Sequence, residues 1–146
     1  MADESRRGLI DTNIVILRDW IAFDDLPGEV AISCVTLAEL SAGPHLVRGD
    51  DPTARRERAR RVAVLQRAEN EFDPLVFDAP AARVLGQLSG AVVTAGRTPR
   101  HRPADLQIAA TAVAHRLPLY PTNPRDYLGL SSWLSVVAVA RPQHAL

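Results

Sequence analysis

The stretch Gly8-Leu9-Ile10-Asp11-Thr12-Asn13 joins a short apolar run to a carboxylate, and a helical pattern begins directly after it. The apolar run predicts a buried strand, and the amphipathic pattern predicts a helix. Open α/β folds bind ligands at the carboxyl ends of their strands, which is where Asp11 would lie. Asp11 could also simply cap the helix by accepting from its free N–H groups. Further acids at the same sheet edge would favour a functional site.

Strand and helix patterns alternate along the rest of the chain. Helices are predicted over 13–23, 35–42, 52–70, 79–95 and 103–115, and further strands over 30–34, 75–77, 118–120 and 136–140. Such alternation predicts a three-layer α/β/α sandwich with a central, mostly parallel sheet. With 146 residues, the chain is expected to form a single domain over 1–146.

Composition narrows the class of protein. The 17 basic and 17 acidic residues balance, so any nucleic-acid binding must come from a local patch. The lone cysteine, Cys34, excludes an internal disulfide and a cysteine-rich zinc site. The apolar runs are shorter than the roughly eighteen residues of a membrane span. A cytoplasmic protein is expected.

Four acids occupy corresponding places in this pattern. Asp11 follows the first strand, Glu39 lies in the helix after the second, and Asp126 lies in the turn after the fourth. Because parallel strands end along one edge, these three are expected to meet there. Asp105 joins them if its helix starts at that edge. Each has a structural alternative: Asp105 as a helix-dipole acid, Asp126 as a cap of the turn at 127–128, and Glu39 as a solvated residue.

Crowded carboxylates predict a cation site. They repel one another unless they are protonated or bound to a cation. Oxygen ligands without cysteine favour Mg²⁺ or Mn²⁺. Water activated by such an ion attacks phosphate esters, so phosphate-ester hydrolysis is the expected chemistry.

The motifs that carry these acids, taken together, resemble those of a known family. In order they are Leu9-Ile10-Asp11-Thr12-Asn13, Val35-Thr36-Leu37-Ala38-Glu39-Leu40, Asp105-Leu106-Gln107-Ile108-Ala109-Ala110-Thr111-Ala112 and Thr122-Asn123-Pro124-Arg125-Asp126-Tyr127. The ordered set resembles PIN-domain ribonucleases and, more narrowly, the VapC-type toxins of bacterial VapBC toxin–antitoxin pairs. The resemblance extends from Gly8 to Val139.

The resemblance implies a metal-dependent endoribonuclease with a PIN-like fold. The implied catalytic residues and ligands of Mg²⁺ (or Mn²⁺) are the recurrent acids Asp11, Glu39 and Asp105 and the more variable fourth acid Asp126. One or two ions would orient a water that attacks the scissile phosphate in line. The protein would then be the toxin of a type II toxin–antitoxin system.

Neighbouring residues are implied to support the acids. Thr12 occupies the place of a small hydroxyl residue that supports the metal site in the family. Asn13 and Asn123 are further supporting candidates, although Asn123 could simply be a left-handed turn residue. The chain departs from the family at Pro121, where relatives often carry threonine, so a hydroxyl contact near the fourth acid is expected to be missing.

The implied partners are RNA, a cognate antitoxin and a second copy of the chain. The basic loop with Arg97, Arg100, His101 and Arg102 is the first candidate for RNA binding. The arginines of the helix predicted over 52–70 are the second candidate, with Ala59, Val62 and Leu65 expected to point inward. The first helix carries two apolar stripes, and for the second, Ile16, Trp20 and Phe23, the resemblance implies a protein-contact surface, with burial in the core as the alternative.

Two other functions remain open at this stage. A PIN-like binding module could keep the fold without its chemistry, although the four acids argue for activity. A phosphatase of the haloacid dehalogenase-like class would carry a second acid two residues after Asp11, where this chain has Asn13. A nucleotide-binding enzyme is disfavoured because no glycine-rich loop follows the first strand.

Overall fold

A parallel sheet lies at the centre of the computed structural model, which describes residues 6–96 and 103–143. Strands β1 (Arg7–Ile10), β2 (Glu29–Ala31) and β3 (Leu119–Tyr120) lie in the order β2-β1-β3. Leu9 of β1 faces Ala31 on one side and Leu119 on the other. The central position of β1 brings the residue after it, Asp11, to the middle of the sheet edge.

Two extended segments continue the sheet beyond its three strands. Leu75 pairs with Ser33, and Val136 pairs with Leu119, each through a single bridge. The strands predicted over 75–77 and 136–140 are therefore wrong in extent. The first ladder stops because Ser33 already caps the next helix. The second loses its next donor because Pro121 has no N–H group.

Five α-helices surround the sheet in residues 6–96 and 103–143. They are α1 (Thr12–Leu17), α2 (Cys34–Ala42), α3 (Pro52–Glu71), α4 (Ala79–Thr94) and α5 (Pro103–Ala114). The predictions for α2 to α5 agree with these bounds within one residue. Short 3₁₀ turns follow at Arg18–Trp20, Phe23–Asp25, Gly43–Leu46 and Pro124–Tyr127. In the described part of the chain, no helix has both the length and the apolarity to cross a membrane.

Two apolar cores fill the space between the sheet and its helices. Leu9 packs with side chains of α4 and α5, including Leu88 and Ile108. Its neighbour Ile10 points to the opposite face and packs with Ile14 of α1. Because successive strand residues face opposite sides, one strand serves both cores. The predicted α/β/α sandwich is confirmed.

The first helix is shorter than its sequence pattern predicts. The α-helix ends at Leu17, and the N–H of Ile21 bonds to the carbonyl of Arg18 at 3.2 Å as the chain turns. Trp20 and Phe23 are therefore not on the helix and are 52% and 84% exposed. The core interpretation is wrong for these two residues, whereas Ile16 is half-buried against the core that contains Ile10.

Helix α3 also differs from its predicted inward face. Ala59 and Val62 are exposed, and Ala54 and Ala68 are the buried residues. Leu65 is half-buried as predicted. Small alanines face inward where α3 packs against α1 and α2. The separation between these helices depends on the tertiary arrangement.

Candidate metal centre

Asp11 is both a helix cap and a buried carboxylate at the sheet edge. Its Oδ1 accepts from the N–H of Ile14 at 3.0 Å, which caps α1. The N–H of Thr122, which follows β3, also hydrogen-bonds to this carboxylate. Strands β1 and β3 are neighbours, so their ends place both residues together. The cap and the site are therefore not alternatives.

Two further carboxylates act on Asp11. Burial first, and then the negative charges of Asp105 and Asp126, raise the pKa of Asp11 from 3.8 to about 6 against the lowering effect of the two N–H bonds. Asp105 is buried in the first turn of α5. Helix α5 therefore starts at the same edge, which the sequence left open. The structure therefore places two of the other predicted acids, Asp105 and Asp126, within electrostatic range of Asp11.

Glu39 joins the site through a hydroxyl. Thr12 Oγ1 donates to Glu39 Oε1 at 2.6 Å, and Thr12 directly follows Asp11. Glu39 is half-buried and lines a cleft of about 300 Å³ that Thr12 and Asn13 also line. Glu39 is thus not simply a solvated helix residue, because a buried threonine orients its carboxylate.

The fourth acid is oriented by Asn123. The Asn123 side chain donates from Nδ2 to Asp126 Oδ1 at 3.2 Å. Asn123 has φ −123°, so the left-handed turn interpretation is wrong. Asp126 is the third residue of the turn Pro124–Tyr127 and therefore does not cap it, and the capping interpretation is wrong as well.

Thr122 is a site residue that the sequence reasoning missed. Its Oγ1 is the one buried side-chain nitrogen or oxygen without a hydrogen-bond partner in residues 6–96 and 103–143. An unpaired buried hydroxyl costs about 1–3 kcal/mol unless a water or ligand oxygen pairs with it. The hydroxyl that Pro121 lacks is thus present one residue later. Its position directly after β3 was the signal that could have identified it.

These residues fit a hydrated divalent cation. Across the described segments, no three His, Cys, Asp or Glu side chains form a ready-made metal site. Mg²⁺ commonly takes only one or two carboxylates and keeps several waters. Asp11 supplies a buried carboxylate that two other carboxylates destabilise, and the Thr122 hydroxyl is available to a water. The donors are oxygens, which are the ligands that Mg²⁺ and Mn²⁺ prefer.

The basic residues divide between two places. Arg60 and Arg61 line the same cleft as Glu39. Arg61 donates to the carbonyl of Gly43 at 2.8 Å and to Glu57 Oε1 at 2.9 Å, so its guanidinium is held in place. The predicted RNA-binding loop residues Arg97, Arg100, His101 and Arg102 lie outside the described residues.

The other arginines of α3 do not face the cleft. Arg55 and Arg58 lie on another surface of the helix and interact with Asp50. Ile16, predicted as a partner contact, lines the Glu39 cleft, whereas the exposed Trp20 and Phe23 lie beyond the end of α1. The three predicted contact residues therefore do not form one helical stripe.

Comparisons with known proteins agree with this fold. The PIN domain matches residues 9–128. A crystal structure of VapBC-5, a member of the VapBC family of toxin–antitoxin systems from Mycobacterium tuberculosis, has 31% sequence identity and a TM-score of 0.75, over 93% of this chain and 99% of that chain. No curated protein matches the sequence significantly.

Two further structures have the same fold. FitAcB from Neisseria gonorrhoeae has 25% identity and a TM-score of 0.62, over 94% of this chain and 99% of that chain. VapBC2 from Rickettsia felis, bound to a DNA fragment from its promoter, has 19% identity and a TM-score of 0.69, over 91% of this chain and 98% of that chain. The second of these likenesses concerns the fold alone.

Proposed function

The chain belongs to the PIN-domain family and resembles its VapC-type toxins, and on this premise we propose that it is a Mg²⁺-dependent endoribonuclease, the toxin of a type II toxin–antitoxin pair. The observation that carries the proposal is the meeting of Asp11, Asp105 and Asp126 at the carboxyl end of a parallel sheet. Capping alone would need one carboxylate there, not three. Mn²⁺ would serve in place of Mg²⁺.

The acids have distinct roles in this proposal. Asp11 and Asp105, with Asp126, would hold the ion, and Glu39 would face it from the cleft side. A divalent cation bound there would lower the pKa of a water and stabilise the charge that develops on the phosphate. The N–H groups of Ile14 and Thr122 fix the Asp11 carboxylate in advance, so no reorganisation is needed on binding.

RNA binding is proposed to use the cleft beside Glu39. Arg60 and Arg61 line it, and Glu57 holds both guanidinium groups at 2.7–3.1 Å. The hydrogen bonds from Arg60 and Arg61 lower the pKa of Glu57 to about 2, so it is ionised at neutral pH. Glu57 and Glu39 together balance the charge of the two arginines, so a bound divalent cation would supply the net positive charge that a phosphate of the RNA backbone neutralises. The loop with Arg97, Arg100, His101 and Arg102 remains a second proposed contact.

An antitoxin is the proposed protein partner. The related VapBC-5 structure is described as a member of a family of toxin–antitoxin systems. Exposed aromatic residues favour contact with another protein, and Trp20 and Phe23 supply two of them near the end of α1. A homodimer is proposed on the same grounds.

RNA cleavage with and without Mg²⁺ tests the proposal. Asp11→Asn and Asp105→Asn should each reduce cleavage by roughly 100-fold or more, as loss of a transition-state stabilising group does. Asp73→Asn, which changes an exposed acid, is the matched control and should cut like the wild type. Wild-type rates in both site variants would refute the proposal. Absence of cleavage by the wild type with either ion, together with binding of RNA or an antitoxin, would favour the binding-module alternative.

A further inference from the structure

Three buried hydroxyl groups lead from the end of β2 to the Glu39 carboxylate. Ser33 Oγ lies 3.3 Å from Thr36 Oγ1, and Thr36 Oγ1 lies 3.1 Å from Thr12 Oγ1. Thr12 Oγ1 lies 2.6 Å from Glu39 Oε1. Ser33 and Thr36 are fully buried and Thr12 is nearly so. We call these three residues the hydroxyl chain.

The direction of each hydrogen bond follows from the number of protons. An ionised carboxylate only accepts, so Thr12 must donate its single O–H to Glu39. In its contact with Thr36, Thr12 can then only accept, so Thr36 donates its single O–H to Thr12. Thr36 Oγ1 therefore accepts from Ser33. Ser33 Oγ is free to donate in this way because its other contact, the N–H of Thr36 at 3.0 Å, is one that it accepts.

All three protons thus point toward Glu39. Hydrogen bonds in a common direction polarise one another, which strengthens the last one. The last bond is also the shortest, in the range of a hydroxyl bonded to a charged carboxylate. The hydroxyl chain runs from the cap and first turn of α2 to Thr12 of α1 and back to Glu39 of α2. It therefore fixes Glu39 relative to Thr12, the residue that follows Asp11.

We propose that Ser33 and Thr36 are positioning residues that hold the Glu39 carboxylate toward the acidic site through Thr12. The catalytic consequence of this positioning rests on the proposed function, whereas the positioning of Glu39 itself is independent of it. The three-residue spacing of Ser33, Thr36 and Glu39 places them on one face of α2 and its cap. Neither Ser33 nor Thr36 touches the site, so both act through Thr12.

The test removes one hydroxyl at nearly constant shape. Thr36→Val removes the middle hydroxyl group of the hydroxyl chain, whereas Thr36→Ser keeps a hydroxyl group at the same position. Thr111→Val is the matched control, because Thr111 is equally buried in a helix and its hydroxyl bonds to the Gln107 carbonyl at 2.8 Å. Three quantities are measured: the position of Glu39 in crystal structures, the affinity for Mn²⁺ by calorimetry, and kcat and KM for RNA cleavage.

Thr36→Val should release Glu39 from Thr12 and weaken Mn²⁺ binding by about 10-fold or more, as loss of an indirect metal-site contact does. Its kcat should fall by a similar factor with KM nearly unchanged, since Glu39 is assigned to the reaction and not to RNA binding. Thr36→Ser should lie within about twofold of the wild type. Thr111→Val should leave all three quantities unchanged.

Several results would overturn the proposal. An unchanged Glu39 position and Mn²⁺ affinity in Thr36→Val would do so, as would failure of Thr36→Ser to restore them or an equal loss in Thr111→Val. If Thr36→Val does not fold, Ser33→Gly removes the first hydroxyl and keeps an acceptable helix cap, with the same expected direction and the same refuting result. A wild type that cleaves no RNA would refute the proposed function, while the Glu39 position and Mn²⁺ affinity would still decide the positioning.

Discussion

Replacing Asp11 by asparagine should stabilise the metal-free protein at neutral pH, although it removes a candidate catalytic group. The pKa of Asp11 is raised from 3.8 to about 6 because the carboxyl is buried near Asp105 and Asp126. Each pKa unit is worth about 1.4 kcal/mol, so keeping this group ionised costs the folded state about 3 kcal/mol. Asparagine carries no charge and avoids that cost.

Part of this gain in stability is offset because the substitution removes a hydrogen bond. The asparagine oxygen can still accept from Ile14, but its amino group cannot accept from the N–H of Thr122. That loss costs about 1–2 kcal/mol. The net gain is about 1–2 kcal/mol, which corresponds to a rise in Tm of about 4 °C for a chain of this size.

The pH dependence of this difference gives the sharper test. The folded wild type binds the Asp11 proton more tightly than the unfolded chain. Its stability contribution is therefore complete below pH 3.8 and is lost as the pH rises to about 6. Asp11→Asn does not titrate there. Thermal unfolding in EDTA, followed by circular dichroism, should show a higher Tm for Asp11→Asn at about pH 7 and a lower one at about pH 4, where only the lost hydrogen bond remains.

A second helix cap provides the control. Asp78 caps α4 by accepting from the N–H of Ala81 at 3.2 Å, but it is exposed. Asp78→Asn should leave Tm nearly unchanged, because Asn and Asp are equivalent caps. A lower Tm of Asp11→Asn than of wild type at every pH would refute the argument. Mn²⁺ should raise the Tm of the wild type and not that of Asp11→Asn.

Two other substitutions, with a glycine in α4 as a control, probe the residues around Asp11. Thr122→Val removes the unpaired hydroxyl, so the free energy of unfolding of the metal-free protein should rise by about 1 kcal/mol, as measured by thermal unfolding. Its affinity for Mn²⁺, measured by calorimetry, should fall. A loss of metal-free stability would contradict this. Gly8→Ala places a Cβ 2.5 Å from Tyr120 Cε1 and 2.9 Å from Pro27 Cβ, so it should destabilise the fold by about 1–3 kcal/mol. Gly86→Ala in α4 meets nothing within 4 Å and should stabilise by about 0.5–1 kcal/mol in the same denaturation series; an equal response of the two glycines would exclude the steric explanation.

Local patterns were sufficient where a single element decided the outcome. The bounds of α2 to α5 follow from local sequence patterns, and the structure shows why: caps such as Asp51 and Asp78 act within one turn. The predicted end of the first helix was wrong because the apolar pattern continues past Leu17, whereas the backbone turns there. Trp20 and Phe23 then lie on the surface. Periodicity reports which residues are apolar, and only packing decides which of them are buried.

The sequence by itself determined the alternation of strands and helices and the placement of acids near strand ends, because these depend on residue type and local spacing. It also determined that Asp11 follows the first strand. Only the tertiary structure decided that β1 is central, that α5 starts at the same edge, and that Asp105 and Asp126 therefore act on the pKa of Asp11. The link from Ser33 through Thr36 and Thr12 to Glu39 likewise needs two helices in contact. Strand order and helix contact depend on residues far apart in the chain, and no local pattern carries them.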